Sequence, residues 1–344
     1  MEQITIKEIA KLCGVGVSTV SRAMNNHPDI NQETKQKVLE IIKEYNYVPN
    51  NSARNLKRTD SNTIAVLVKG ITNPFFSPMI GVLAREVKKK RYSFVLQQVE
   101  EDEDEIDVAI QLEKEKRLKG IVFLGGMYIH KEEKLNQLTV PFAISTVNMG
   151  LPESMKKGAV ISIDDELESY RMVDFLCDCG HKEIAILAAS REDASVGKCR
   201  LDGYQRALQD HGIQYDDELV VCTKKDVNTY SMENGYEMMK ELLDSGKKFT
   251  CIYAVADALA IGACKAIFDA GKSIPGDYSV AGFDGQGTAA YYHPSITTVY
   301  QPREEMAEAT INILFHLIKK EPVETKRIFN ARLVLGESTR KIEK

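Results

Sequence analysis

The first fifty residues carry a helical apolar pattern broken at short intervals. Ile6, Ile9, Ala10 and Cys13 fall on one helical face, and Thr5 with Glu8 has the spacing of a capping box. Gly14-Val15-Gly16 predicts a tight turn. A second helix is predicted from about Val17 to Asn25, with Val20, Ala23 and Met24 turned inward. Asn31 is placed to cap a third helix whose stripe is Val38, Ile41, Ile42 and Tyr45, and Pro49 stops it by disfavouring helix at Val48. Two short helices around a glycine turn have helix-turn-helix spacing, in which the second helix enters a major groove. The partner this pattern predicts is DNA.

Residues 51–58 are short, basic and weakly apolar, and alone bury too little to fold in water. They read either as a flexible linker or as a hinge helix that orders on DNA.

From Thr63 the period changes. Strand-like apolar runs at Thr63–Val68, Ser93–Val99, Gly120–Leu124 and Phe142–Thr146 alternate with helical stretches at about Pro78–Lys90, Glu105–Leu118 and Lys131–Leu138. The cycle restarts with strands at Val160–Ile163, Ile184–Ala188, Leu219–Cys222, Cys251–Ala254 and Ser279–Phe283. Helices are expected between them at Glu166–Cys179, Arg200–His211, Met232–Ser245 and Ala258–Ala270. Strand–helix alternation predicts parallel sheets covered on both faces, and two series predict two doubly wound α/β subdomains. Ligands of such sheets sit beyond the carboxyl ends of the strands, so two facing sheets make a cleft suited to hinge closure around a small molecule.

At 344 residues the chain exceeds one ordinary domain. The net charge of −5 is unexpected for a DNA-binding chain. It divides unevenly: residues 1–60 hold nine Lys/Arg against seven Asp/Glu, a local +2, which leaves −7 for the remainder. The cationic contacts must therefore come from a few residues, namely Lys7, Lys11, Arg22, Arg54, Lys57 and Arg58. Seven scattered cysteines suit reduced thiols. No run of about 18 apolar residues predicts a membrane span. The stretch from Ile4 to Leu12 is interrupted by Lys7, Glu8 and Lys11 and lacks a signal-peptide core, so the expected location is the cytoplasm.

These residues carry a family resemblance. Thr19-Val20-Ser21-Arg22, Asn46-Tyr47-Val48-Pro49-Asn50 and Ala53 with Leu56 resemble the lactose/galactose-repressor (LacI/GalR) family. Further landmarks follow in order: Asn73-Pro74-Phe75-Phe76-Ser77, Arg200-Leu201-Asp202-Gly203-Tyr204, Ala256-Asp257 with Ala260 and Gly262, Ile274 to Asp284, and Pro294 to Pro302. The resemblance implies a small all-α helix-turn-helix headpiece and an α/β core of periplasmic-binding-protein type. The implied domains are a DNA-binding domain at 1–50 and a hinge at 51–61. Residues 62–163 with about 299–322 form the N-terminal effector-binding subdomain, and 164–298 with about 323–340 the C-terminal one.

By resemblance, Val17, Ser18 and Arg22 read bases, Thr19 and Ser21 hold phosphates, and Asn50 belongs to the same surface. An arginine can bond guanine O6 and N7 together, worth roughly 1–3 kcal/mol of discrimination. Phosphate contacts fix register and carry little sequence information. Gly16 stands where the family usually has a Ser cap. At the hinge, Leu56 is expected to wedge into the minor groove at a flexible central CG step, and Ala53 to let two hinge helices pack closely. The implied assembly is a homodimer on a near-palindromic operator.

In the cleft the resemblance places Arg200 and Asp284 as polar contacts to a small effector. Phe75 and Tyr230 are expected to stack on it. Asp257 acts on the effector directly or from behind, and loop capping is the plain alternative for both aspartates. The effector class is a sugar or sugar derivative, with a nucleobase as alternative. Gly285 and Thr146 depart from the family pattern, at positions where relatives often carry acids or amides. No cofactor is expected. Cys177-x-Cys179-x-His181 lacks a fourth ligand at zinc-like spacing. Gly282 to Gly287 lacks dinucleotide-binding spacing, and no nucleophile–base pair emerges, so an enzyme is not expected. Glu100 to Glu105 reads as a solvated acidic loop at a helix N-terminus. Control by a phosphoprotein, and a solute-binding role, remain alternative readings.

Overall fold

The structure is a computed structural model, and it describes residues 5–24, 29–45, 62–127, 130–190, 194–224 and 228–342. The chain forms two compact units, divided after Ser61.

The first unit holds α1 (Ile6–Cys13), α2 (Val17–Met24) and α3 (Gln32–Glu44). The capping box of α1 is present: Glu8 N–H donates to Thr5 Oγ1 at 3.4 Å, and Thr5 N–H to Glu8 Oε2 at 2.7 Å. Gly14 closes the helix at φ 70°, a left-handed backbone that glycine adopts without strain. Asn31 Oδ1 accepts from Glu33 N–H at 2.8 Å and caps α3. Ile9, Ala10, Cys13, Val20, Ala23 and Val38 form the buried core, with Ile6, Met24, Ile41 and Ile42 packed around it. Tyr45, expected on the α3 stripe, is instead exposed at the C-terminal end of the helix, although its N–H still donates to Ile41 O at 3.0 Å. Asn50, Ala53 and Leu56 lie outside the described residues.

The second unit contains two six-stranded sheets. The first has β1 (Thr63–Lys69), β2 (Ser93–Val99), β3 (Gly120–Leu124), β4 (Phe142–Ser145), β5 (Gly158–Ile163) and β11 (Lys326–Phe329), in the order β11-β5-β4-β3-β1-β2 and all parallel. The second has β6 (Ile184–Ala188), β7 (Val220–Cys222), β8 (Cys251–Ala254), β9 (Ser279–Asp284), β10 (Thr297–Tyr300) and β12 (Arg332–Val334). Its order is β12-β10-β9-β8-β6-β7, and only the edge strand β12 runs antiparallel.

The two-residue period of β1 serves both faces of its sheet. Ile64, Val66 and Val68 join the cluster that holds Met79, Leu83 and Val87 of α4 (Phe76–Lys89). Ala65 and Leu67 join the opposite cluster, with Ile106, Ala109 and Leu112 of α5 (Glu105–Lys116). A strand buried on both sides reads as a continuous apolar run, which is why β1, β3 and β4 were legible.

The chain passes between the sheets after Ile163, after Tyr300 and after Phe329. Two expected boundaries therefore move. Val299 and Tyr300 pair with β9 and stay in the C-terminal subdomain. Residues 326–329 pair with β5, so the last crossing lies after Phe329 and not near residue 322. Lys326, Arg327 and Ile328 are exposed and only Phe329 is half-buried against the core, so the ladder with β5 is what assigns the segment. Among the described residues no helix is long and apolar enough to cross a membrane.

Candidate functional site

Two surfaces carry the predicted chemistry, one in each unit. On α2 the buried residues Val20 and Ala23 fix the inner face. Val17, Ser18 and Arg22 are consequently exposed, and Thr19 and Ser21 are half-buried at the flanks. The first turn of α2 has no acidic residue, so its N-terminal N–H groups and dipole remain suited to a phosphate.

The second surface is a cavity of about 330 Å³ between the two sheets, at the carboxyl ends of the strands. One wall is built on the first sheet. Phe75 lies at the start of α4, its N–H donating to Asn73 Oδ1 at 3.0 Å, and its ring meets Phe76 edge-on at 5.3 Å. Thr146 follows β4 at φ 77°, and its Oγ1 accepts from Gly125 N–H at 3.1 Å.

The other wall is built on the second sheet. Arg200 lies in the helix Val196–Asp210 and is 5% exposed. Its Nε and Nη2 donate to Asp165 Oδ1 at 2.9 and 2.8 Å, and its Nη1 donates to Val255 O at 2.6 Å. Nη1 also stands 3.5 Å from Asp284 Oδ1, and the guanidinium lies 3.8 Å over the Phe283 ring. Burial works against its charge, but Asp165 and Asp284 outweigh burial and hold it above the ordinary arginine value.

Asp284 ends β9 at φ 119°. Its Oδ1 accepts from Gln301 Nε2 at 3.1 Å and its Oδ2 from Gln286 Nε2 at 3.2 Å. Burial pushes its carboxyl up to about 6, against the opposing pull of Arg200. Tyr230 sits one residue before the cap of the next helix, with its hydroxyl 3.4 Å from Ser195 Oγ.

Phe75, Arg200, Tyr230 and Asp284 thus line one cavity. Asp257 does not line it. It is fully buried behind Asp284, where Oδ2 accepts from Gln286 N–H and Oδ1 from Thr298 Oγ1, both at 2.6 Å. Burial, and then the neighbouring Asp284, push its carboxyl upward. Its geometry is that of a loop anchor holding the turn after β9.

Sequence reasoning missed Lys69, Glu101 and Gln301, which also line the cavity. Gln301 stands inside a quoted landmark, so its signal was present. Glu101 belongs to the acidic run, which is not simply solvated. Glu105 is 3% exposed, with Oε1 accepting from Met127 N–H at 2.8 Å and lying 2.9 Å from His130 Nε2. Glu101 reaches the opposite wall, where Oε2 accepts from Thr229 Oγ1 at 2.8 Å and Oε1 from Thr229 N–H at 3.2 Å. The ring nitrogens of His181 contact Thr250 Oγ1 at 2.9 Å and Arg340 O at 3.1 Å, tying the imidazole into the strand ends.

Residues 5–50 match the profile of bacterial regulatory proteins of the lacI family, and residues 173–339 that of a periplasmic binding protein-like domain. The HTH-type transcriptional regulator MalR of Clostridium butyricum is 40% identical over 337 residues, 97% of this chain and 99% of that protein. The ribose operon repressor of Escherichia coli (strain K12) is 29% identical over 326 residues, 94% of this chain and 96% of that protein. Among solved structures, a complex of the transcriptional regulator CelR with cellobiose covers 98% of this chain and 100% of its own, at 26% identity and a TM-score of 0.69.

Proposed function

This chain belongs to the LacI family of bacterial regulatory proteins, and on that premise we propose that it is a cytoplasmic repressor, released from or held on its operator by a sugar bound in the interdomain cleft. It is a DNA-binding transcriptional regulator and not an enzyme. The observation that carries the effector reading is the convergence of Phe75, Tyr230, Arg200 and Asp284 on one cavity. Aromatic faces suit the C–H faces of a sugar ring, and a fixed guanidinium beside an accepting carboxylate suits paired hydroxyls. The cavity of about 330 Å³ is within the range of small-molecule sites. The sugar named in the CelR complex and the operon named for the ribose repressor support the same class.

The headpiece reads DNA through Val17, Ser18 and Arg22, with Thr19 and Ser21 on phosphates. We propose operator contacts also for Asn50, Ala53 and Leu56, which lie outside the described residues. A homodimer on a near-palindromic operator follows, because one headpiece reads one half-site. Operator and effector must be reciprocally coupled: each changes the other's affinity by the same factor.

The test is a thermal-shift screen of sugars, nucleosides and purines, each hit repeated with Tyr230→Ala and Asp284→Asn and then titrated against operator-bound protein. Ligand at a hundredfold excess over Kd stabilises the native state by about 2.7 kcal/mol. A sugar shift lost in both variants, together with altered operator affinity, is the expected result. A hit that leaves operator affinity unchanged rejects the switch.

A further inference from the structure

The cation on the first-sheet wall is the informative one. Lys69 ends β1 and lines the cavity, with its side chain 18% exposed. Its Nζ donates to Glu103 O at 2.6 Å and stands 3.7 Å from Glu105 Oε2. Glu105 is itself a built group. Its other oxygen is taken by Met127 N–H and His130 Nε2, its side chain is 4% exposed, and Oε2 has no hydrogen-bond partner. Gly126 is required beside it: φ is 118°, and a Cβ there would lie 2.3 Å from Glu105 Oε1. Burial opposes the charge of Glu105, yet His130 and the Met127 N–H hold its carboxyl below the usual range, so it is an anion at neutral pH.

The pattern repeats on the other wall, where the charge of Arg200 is met by Asp165 and Asp284. Among the described residues the cavity is lined by two cations, Lys69 and Arg200, and two carboxylates, Glu101 and Asp284. Each cation also has a buried carboxylate behind it, Glu105 or Asp165. A negative charge on a ligand would therefore meet cations already compensated by carboxylates, and like charges in a partly dry site repel. An ammonium carries three donors, so Lys69 retains hydrogen-bonding capacity toward a hydroxyl.

We infer that Lys69, neutralised by Glu105, is a specificity-determining residue of the effector site that selects an uncharged, hydroxyl-rich ligand over its phosphate ester. This rests on the effector reading above. Lys69 donates to a hydroxyl on the first-sheet wall while Arg200 and Asp284 hold hydroxyls on the opposite one. Glu105 acts through Lys69 and is a positioning residue.

The experiment is calorimetric titration of the full chain with glucose, ribose, maltose and cellobiose. Glucose 6-phosphate, ribose 5-phosphate, maltose 6′-phosphate and inorganic phosphate form the second arm. The expected result is an uncharged sugar that binds at least tenfold more tightly than its ester, with no binding of inorganic phosphate. In Glu105→Gln, which keeps an acceptor for Met127 N–H, that ratio falls at least fivefold, a change that a purely structural role would not produce. Lys69→Met loses about tenfold in affinity for the uncharged sugar and serves as second variant if Glu105→Gln does not fold. An ester that binds as tightly as its parent sugar overturns the inference; if Tyr230→Ala then abolishes that binding, the cleft reading stands. Ratios unchanged in both variants also overturn it. Binding by no member of either arm overturns this inference and the sugar reading together.

Discussion

Glu101 and Thr229 meet across the mouth of the cleft, where one carboxylate accepts both the backbone N–H and the hydroxyl of the same residue, at 3.2 and 2.8 Å. Glu101 precedes α5 of the first-sheet subdomain, and Thr229 adjoins the cavity-lining Tyr230 of the second. Asn228 and Thr72 add a second bridge beside it, and Gln286 Nε2 with Asn73 Oδ1, at 3.4 Å, a third. Contacts made only when the subdomains are closed bias closure by their own free energy.

Removing that clasp should loosen closure without unfolding either subdomain. A hydrogen bond to a charged group contributes about 1.5–3 kcal/mol when well shielded, and this pair is largely exposed, so a smaller value of about 0.7–1.4 kcal/mol applies. Glu101→Ala should weaken effector binding by about three- to tenfold in calorimetry, with the melting temperature of the free protein nearly unchanged. An unaltered Kd would show that the contact does not bias closure.

Arg200 is a stability residue as well as a candidate ligand contact. Deleting it leaves Asp165 and Asp284 buried without their ion-pair partner, and breaking a buried pair from one side costs about 3–5 kcal/mol. Arg200→Ala should therefore show a large loss of stability in urea titration. Adding Asp165→Asn should restore a substantial part of it without restoring effector binding. If Arg200→Ala is as stable as the parent, the pairs contribute little.

Asp284 predicts opposite pH effects on folding and on binding. Its folded value is raised to about 6, above that of an unfolded aspartate, so the native state binds more protons between about 4 and 6. Its contribution to stability is present below about pH 4 and is lost as pH rises through about 6. The stability difference between parent and Asp284→Asn should thus shift against the parent over that window. Effector binding should run the other way, weakening below about pH 6 as the acceptor is protonated. A binding profile that is flat from pH 5 to 8 in the parent argues against Asp284 as acceptor.

In the headpiece, Arg22→Ala should cost about 1–3 kcal/mol of operator affinity and relax preference at one base pair in each half-site. Thr5→Ala removes the α1 cap and should cost about 1 kcal/mol of headpiece stability with base preference kept. Fluorescence anisotropy on operator variants separates the two. Equal losses on every sequence for Arg22→Ala would make it a phosphate contact.

Much of this was legible in the chain because local rules and the global fold agree. The 3.6-residue period, the Thr5–Glu8 box and Gly14 determined the headpiece helices, and mostly apolar runs determined the strands, since a strand covered on both faces admits few polar positions. Family landmarks gave Phe75, Arg200 and Asp284 their places at the cleft, and the wider family resemblance gave Tyr230 its place. Tertiary structure decided the rest. Residues 326–328 are exposed, and the segment is assigned to the first sheet by its ladder with β5. Asp257 reads like a ligand contact in sequence, yet it spends both oxygens on Gln286 and Thr298. Glu101 and Glu105 look alike inside one acidic run; one spans the cleft and the other is buried against Lys69 and His130. The physical reason is common to these cases. Periodicity reports which way a side chain faces along its own element, whereas a charge's role is set by what stands opposite it, and here the opposite group lies between 25 and 128 residues away.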